Sequence, residues 1–279
     1  MNESQDSDTN DSMLDSLKDV GSRSMWARLF HGLLLPLRAA RFLIREPKLW
    51  PLVVIPAIIN IALFAGSAYL LVSYAPTIVD WVWIEPVVDA WYDWLLKAAW
   101  YLLVAIVSVL TVLASYIFIL LIGGIIASPF NDALSSRVEA RLIDADSPPE
   151  RDENLVWGII RSIGSSLFIL GSYCVVMAPI LLLNLVPGVG QVAATFLGTG
   201  VSSMFLTMEF IDPPLDRRGS GLRQKFEAIE GNRDIALGFG FGTSLFLWIP
   251  FMNLLTIPIA VVGGTALGIA LDDWERERR

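Results

Sequence analysis

Between Ile235 and Leu271 the chain runs for 37 residues without an Asp, Glu, Lys, Arg or His. Arg233-Asp234 and Asp272-Asp273 close it off. A helical span of a bilayer takes about 20 residues, so the run is too long for one span and too short for two joined by a turn. Its middle carries Ile249-Pro250-Phe251-Met252-Asn253 and then Thr256-Ile257-Pro258. Proline removes a backbone donor and disfavours helix in the residue before it. Ile235–Ile249 and Pro258–Leu271 therefore read as two arms of 15 and 14 residues. At the helical rise each arm reaches roughly 22 Å, short of a hydrocarbon core of about 30 Å. One reading is a helical hairpin that dips into the membrane and returns to the same face. The other is a single interrupted span that leaves the C-terminus on the far side. Irregular backbone at that depth persists only inside protein or beside water, so the tip is expected in one of those places.

The rest of the chain places this run in a polytopic membrane protein. Of 279 residues 54% are hydrophobic and 17% charged, and the mean hydropathy is +0.59. Residues 24–46 mix Trp26, Phe30, Leu34 and Leu37 with four arginines, the pattern of an amphipathic interfacial helix that Pro47 ends. Residues 49–74 and 98–127 read as two spans, the second stopped by Ser128-Pro129-Phe130. Asn131–Leu142 continues as an amphipathic helix. Residues 163–211 form another apolar block, turned at Val186-Pro187-Gly188-Val189-Gly190-Gln191. The expected fold is all-α: two long transmembrane helices plus two helical hairpins, 163–211 and 235–271, that enter from and return to the cytoplasmic side. One membrane domain, 23–275, is expected to follow a disordered acidic tail over 1–22 and precede a basic end at 276–279. The tail has no basic n-region before an apolar run, so a cleaved signal peptide is not expected.

The charges choose between the two readings of 235–271. Nineteen of the 20 basic residues lie at 18–48, 137–161, 217–233 and 276–279; Lys97 alone lies elsewhere. The positive-inside rule puts all four zones, and both termini, in the cytoplasm. That arrangement needs one crossing out, one crossing back and two returning hairpins.

Several classes of chemistry are excluded. A net charge of −8 argues against nucleic acid as a partner. Cys174 and His31 are the only residues of their kinds, so neither a disulfide framework nor a cysteine or histidine metal site is expected. No phosphate-binding P-loop is present, and Gly238-Phe239-Gly240-Phe241-Gly242 reads as a helix-packing face rather than a dinucleotide loop. No enzyme activity and no cofactor are expected. What remains is geometry suited to anions. Helix N-termini at hairpin tips offer unpaired N–H groups and the positive end of the dipole. Gly188, Gly190 and Gln191 mark one tip; Asn253 and Thr256 mark the other. The same residues also serve as ordinary turn formers. Arg38, Arg41 and Arg45 share a helical face that suits either lipid phosphate or, with Lys48, a cytoplasmic anion vestibule.

Four stretches resemble the CysZ-type sulfate permeases of bacterial inner membranes and the wider etoposide-induced-protein family. They are Glu46-Pro47 with Val54-Ile55-Pro56 and Asn60; Ile126-Ala127-Ser128-Pro129-Phe130-Asn131 with Val138-Glu139-Ala140-Arg141-Leu142; Val186-Pro187-Gly188-Val189-Gly190-Gln191; and Thr243 to Phe246 through Ile249-Pro250 and Asn253-Leu254 to Pro258-Ile259-Ala260. The resemblance covers about residues 30–272. It implies an inner-membrane permease or channel for sulfate or a related small anion, serving cysteine biosynthesis and assembled as a homo-oligomer in the bilayer. Asn131, Arg137 and Glu139 match the family pattern, and the resemblance makes Asn131 and Arg137 candidates for anion binding. Where the family's permeases carry an Arg pair this chain has Trp50-Pro51, and where they carry G-L-L-A-E it has Asp132-Ala133-Leu134-Ser135-Ser136. The alternative within the same family is a non-transporting membrane scaffold or assembly factor whose acidic tail recruits a partner.

Overall fold

The computed structural model describes residues 13–81, 83–87, 93–144, 155–249 and 252–278. Among these there is no strand. Beyond a helical segment at 13–20, the helices are α1 (Met25–Arg45), α2 (Trp50–Asp80), α3 (Asp93–Leu142), α4 (Leu155–Leu182), α5 (Val189–Arg217), α6 (Leu222–Glu230), α7 (Arg233–Leu247) and α8 (Asn253–Arg278). Among the described residues five helical stretches are long and apolar enough to cross a membrane. The apolar window in α8 is largely enclosed by protein, whereas the other four are largely exposed.

The chain divides into two compact units, 1–50 with 131–279 and 51–130. The smaller unit pairs the apolar parts of two long helices. Phe64 meets Tyr116 edge to face, and a Cβ on Gly123 would touch Asn60 Oδ1 at 2.9 Å. Trp100 Nε1 donates to the Trp83 carbonyl at 3.1 Å, and Lys97 pairs with Glu85 at 3.2 Å.

The larger unit is built around α7 and α8. Backbone packs on backbone where α1 crosses α7: a Cβ on Gly32 would strike the Ile235 carbonyl, and one on Gly238 the Leu29 carbonyl. Gly240 meets Ser203 of α5 in the same way. The Gly-Phe-Gly-Phe-Gly run is therefore a packing face, as its small residues implied. Replacing Gly238 by leucine should force α1 and α7 apart and cost about 1–3 kcal/mol, read as a lower thermal midpoint in detergent. The helix read as interfacial thus commits one face to α7; Trp26, Phe30, Leu34 and Leu37 stay exposed on another.

Proline boundaries needed correction. Pro129 does not stop a span but lies inside the 50-residue α3, and Pro258 lies inside α8, which already starts at Asn253. One lost donor is tolerated where the helix is held on both sides of it. Tail residues 13–20, read as disordered, are helical, and Met13, Leu14, Leu17 and Val20 are buried. Their spacing forms one apolar stripe, whose burial outweighs the acidic composition. Residues 1–12 lie outside the described residues.

α4 and α5 form one helix pair, and α7 and α8 another. Tyr173 of α4 hydrogen-bonds Ser202 of α5 at 3.1 Å, and the chain turns through 183–188. Their arms of 28 and 29 residues reach about 42–44 Å. The outer ends of α7 and α8 meet where Arg278 Nη2 donates to Asn232 Oδ1 at 3.1 Å.

Candidate functional site

Polar side chains of the larger unit collect where α3, α5 and α8 end. Asp132, Ser135 and Glu139 occupy i, i+3 and i+7 of α3, one face of a helix. The last turn of α5 brings Arg217, and the cap residue Arg218 follows. Gly219 then adopts φ +82°, and the Ser220 N–H reaches back to the Leu215 carbonyl at 3.0 Å. This is a Schellman closure, and it fixes where the two arginines point.

Both arginines converge on one carboxylate. Glu139 is 0% exposed. Arg217 Nε donates to its Oε2 at 2.9 Å, and Arg218 Nε donates to its Oε1 at 2.9 Å. Arg217 also reaches Asp132 at 3.1 Å and Ser135 Oγ at 2.7 Å. Arg218 also reaches Asp272 at 3.0 Å. Burial opposes the charge on Arg218, but the Glu139 and Asp272 carboxylates more than offset it and hold its pKa above the ordinary value. From Ser135 the polar chain continues to Thr265 of α8 at 2.8 Å. Thr265 in turn donates to the Val261 carbonyl at 2.7 Å. The chain thus carries hydrogen-bonding groups from the arginines into the enclosed part of α8, with each buried hydroxyl satisfied.

Two further clusters flank it. Lys225 of α6 is 1% exposed and donates to Asp212 at 2.7 Å and Asp216 at 3.1 Å. Asn232 Oδ1 accepts from Arg28 at 2.6 Å as well as from Arg278. Arg28 also pairs with Asp234 at 2.9 Å and lies over the Trp274 ring, 5.2 Å from its centroid. A polar cavity of about 230 Å³ opens between the α5–α6 turn, α6 and the end of α8.

The residues singled out from sequence are spread over several places. Arg38 is half-buried and donates to Ser16 Oγ at 3.2 Å. Partial burial, with Arg23 and Arg41 nearby, lowers its pKa from the ordinary value. Arg41, Arg45, Lys48 and Arg137 are exposed, and Asn131 is half-buried. At the first tip Gly188 is exposed with φ +78°, Gln191 is exposed, and Gly190 is packed on the Leu183 carbonyl. At the second, Asn253 opens α8, while Thr256 is buried and donates to the Met252 carbonyl at 2.9 Å. Among the described residues neither tip hydrogen-bonds the α1 arginines. Trp50 donates to the Leu43 carbonyl at 2.9 Å. Asp132 and Ser135 both serve Arg217. The Glu139–Arg217–Arg218 centre was not singled out from sequence. Its visible signals were Glu139, which matches the family pattern, and the Arg217-Arg218 doublet just past Pro213-Pro214.

The family model described as "Sulfate transporter CysZ/Etoposide-induced protein 2.4" matches residues 35–258 of the chain. The chain is also 31% identical over 228 residues to "Sulfate transporter CysZ" of Pectobacterium atrosepticum, across 81% of its own length and 80% of that relative.

Proposed function

The chain belongs to the sulfate transporter CysZ/etoposide-induced protein 2.4 family, and from that premise we propose that it is an inner-membrane permease passing sulfate down its gradient. The observation that carries this reading is the likeness to a sulfate transporter over four-fifths of both chains.

The geometry supports a particular layout. α7 has 15 residues, about 22 Å of helix, too short to cross a core of about 30 Å. Its outer end meets that of α8, which supports a pair that dips and returns. α4 and α5 are long enough to cross, and their turn is apolar: Leu185 is 78% and Val189 82% exposed. Arms of that length carry the turn through the core to its far side, where its apolar side chains meet the interface or a second subunit. The basic zones, and with them both termini, face the cytoplasm. Arg41, Arg45 and Lys48 raise the local anion concentration there by their field. Tip amides at Gly188 and Gly190 and at the start of α8 take the anion deeper.

The experiment is uptake of labelled sulfate into proteoliposomes. We expect flux above empty vesicles, reduced several-fold in an Arg38→Ala, Arg41→Ala, Arg45→Ala triple variant and at high ionic strength. Flux equal to that of empty vesicles ends the permease reading. A C-terminal reporter scored as periplasmic ends the proposed return of α7 and α8.

A further inference from the structure

The cavity at the polar end of the larger unit shares Arg218 with the Glu139 centre and includes no residue of either tip. Asp272, Glu275 and Arg276, which form one wall, lie beyond the residues 35–258 that the family model matches. The opposite wall is the α5–α6 turn with Arg218 and Ser220, and one face of α6 with Gln224 and Ala228.

The two walls carry complementary chemistry. On the turn side, Arg218 uses Nε and Nη1 on Glu139 and Asp272, which leaves Nη2 without a protein partner. The Gly221 N–H donates to Gln224 Oε1 at 2.9 Å, so the Gln224 amide keeps its NH₂ as a donor. Ser220 adds a hydroxyl. On the α8 side, Asp272 uses Oδ2 on Arg218 and Arg276, and Glu275 uses Oε1 on Arg278. Their second oxygens remain as acceptors. The side chains of Arg218 and Asp272 are only 10% and 12% exposed, so their charges act through a poorly screened medium.

A simple anion would meet the two carboxylates of α8. A bare metal ion would meet Arg218 and Arg276, and among the described residues no group of three His, Cys, Asp or Glu side chains is placed to ligate one. A ligand with both charges on one short frame meets neither objection. The volume of about 230 Å³ suits a molecule of few heavy atoms. Leu215 and Ala228 offer apolar contact to a small aliphatic group. We infer that this cavity binds a small neutral α-amino acid, its carboxylate taken by Arg218, Ser220 and Gln224 and its ammonium by Asp272 and Glu275. Bound there, the ligand ties the end of the enclosed helix α8 to the α5–α6 turn.

The test is isothermal titration of the purified full chain with L-alanine, propionate and ethylamine. Propionate keeps the carboxylate and lacks the ammonium; ethylamine does the reverse. L-Alanine should bind at least about tenfold more tightly than either fragment. Glu275→Gln should weaken L-alanine by about tenfold or more, and Ser220→Ala by several-fold, whereas Arg223→Ala, an exposed residue of α6, should leave it unchanged. No L-alanine binding, equal binding of propionate, or undiminished binding by Glu275→Gln together with Ser220→Ala overturns the inference. None of these results depends on sulfate flux.

Discussion

Glu139→Ala should lower the thermal midpoint of the purified protein by on the order of 10 °C, the largest loss expected of any single side chain here. The reason is what it leaves behind. Arg217 and Arg218 are 15% and 10% exposed at their side chains, and the carboxylate between them is wholly buried. Without it, two adjacent guanidiniums lose their shared counter-charge in a place water scarcely reaches. Removing one partner from a buried pair costs about 3–5 kcal/mol, against about 0–1 for an exposed pair. Arg217 keeps Asp132 and Ser135, and Arg218 keeps Asp272, so the arginines are not stripped bare. Glu139→Gln should fall between the two, since the amide retains an oxygen acceptor but turns an NH₂ towards a donor. A Glu139→Gln, Arg218→Met double variant should recover part of the loss, because it removes one of the stranded charges. A loss below about 0.5 kcal/mol in Glu139→Ala would place the centre among ordinary surface pairs. The consequence reaches α8, since Ser135 links Arg217 to Thr265 in the enclosed helix.

That centre was hard to read from the chain because its partners are 78 and 79 residues apart and follow no period. Hydrophobic runs and turn residues report local structure. They located the turn at 183–188 and the break between α7 and α8 because Pro-Gly and Pro-Phe-Met-Asn interrupt apolar sequence there. They misplaced the ends at Pro129 and Pro258, since a proline removes one donor but does not end a helix that packing holds. Composition misread the N-terminal segment in another way. Its acidic average concealed Met13, Leu14, Leu17 and Val20 on one face, and Ser16 of that segment accepts the hydrogen bond from Arg38. An arginine assigned from sequence to an anion vestibule is therefore partly covered by the segment thought to be unstructured.

Lys225→Ala should cost about 3–5 kcal/mol for a related reason with the charges reversed. The Lys225 side chain is 1% exposed, and its ammonium bridges Asp212 and Asp216, one helical turn apart near the end of α5. Those carboxylates are themselves largely shielded, at 14% and 21% exposure. Removing the lysine takes away the cation that the two carboxylates share. It also releases α6, a nine-residue helix too short to persist without tertiary support. Phe226, the next residue, would still meet Phe168 and Phe205, so the helix should loosen rather than dissociate. Lys225→Met tests the electrostatic part alone, because it keeps most of the packed length and drops the charge. Pairing it with Asp212→Asn should recover stability if the bridge is what matters. If Lys225→Met matches the wild-type midpoint, burial of the aliphatic stem holds α6 and the bridge adds nothing. Gln224 and Ala228, which line the cavity, ride on this same helix. Lys225→Met should therefore weaken L-alanine binding together with the thermal midpoint, while Glu275→Gln should weaken binding and leave the midpoint nearly unchanged.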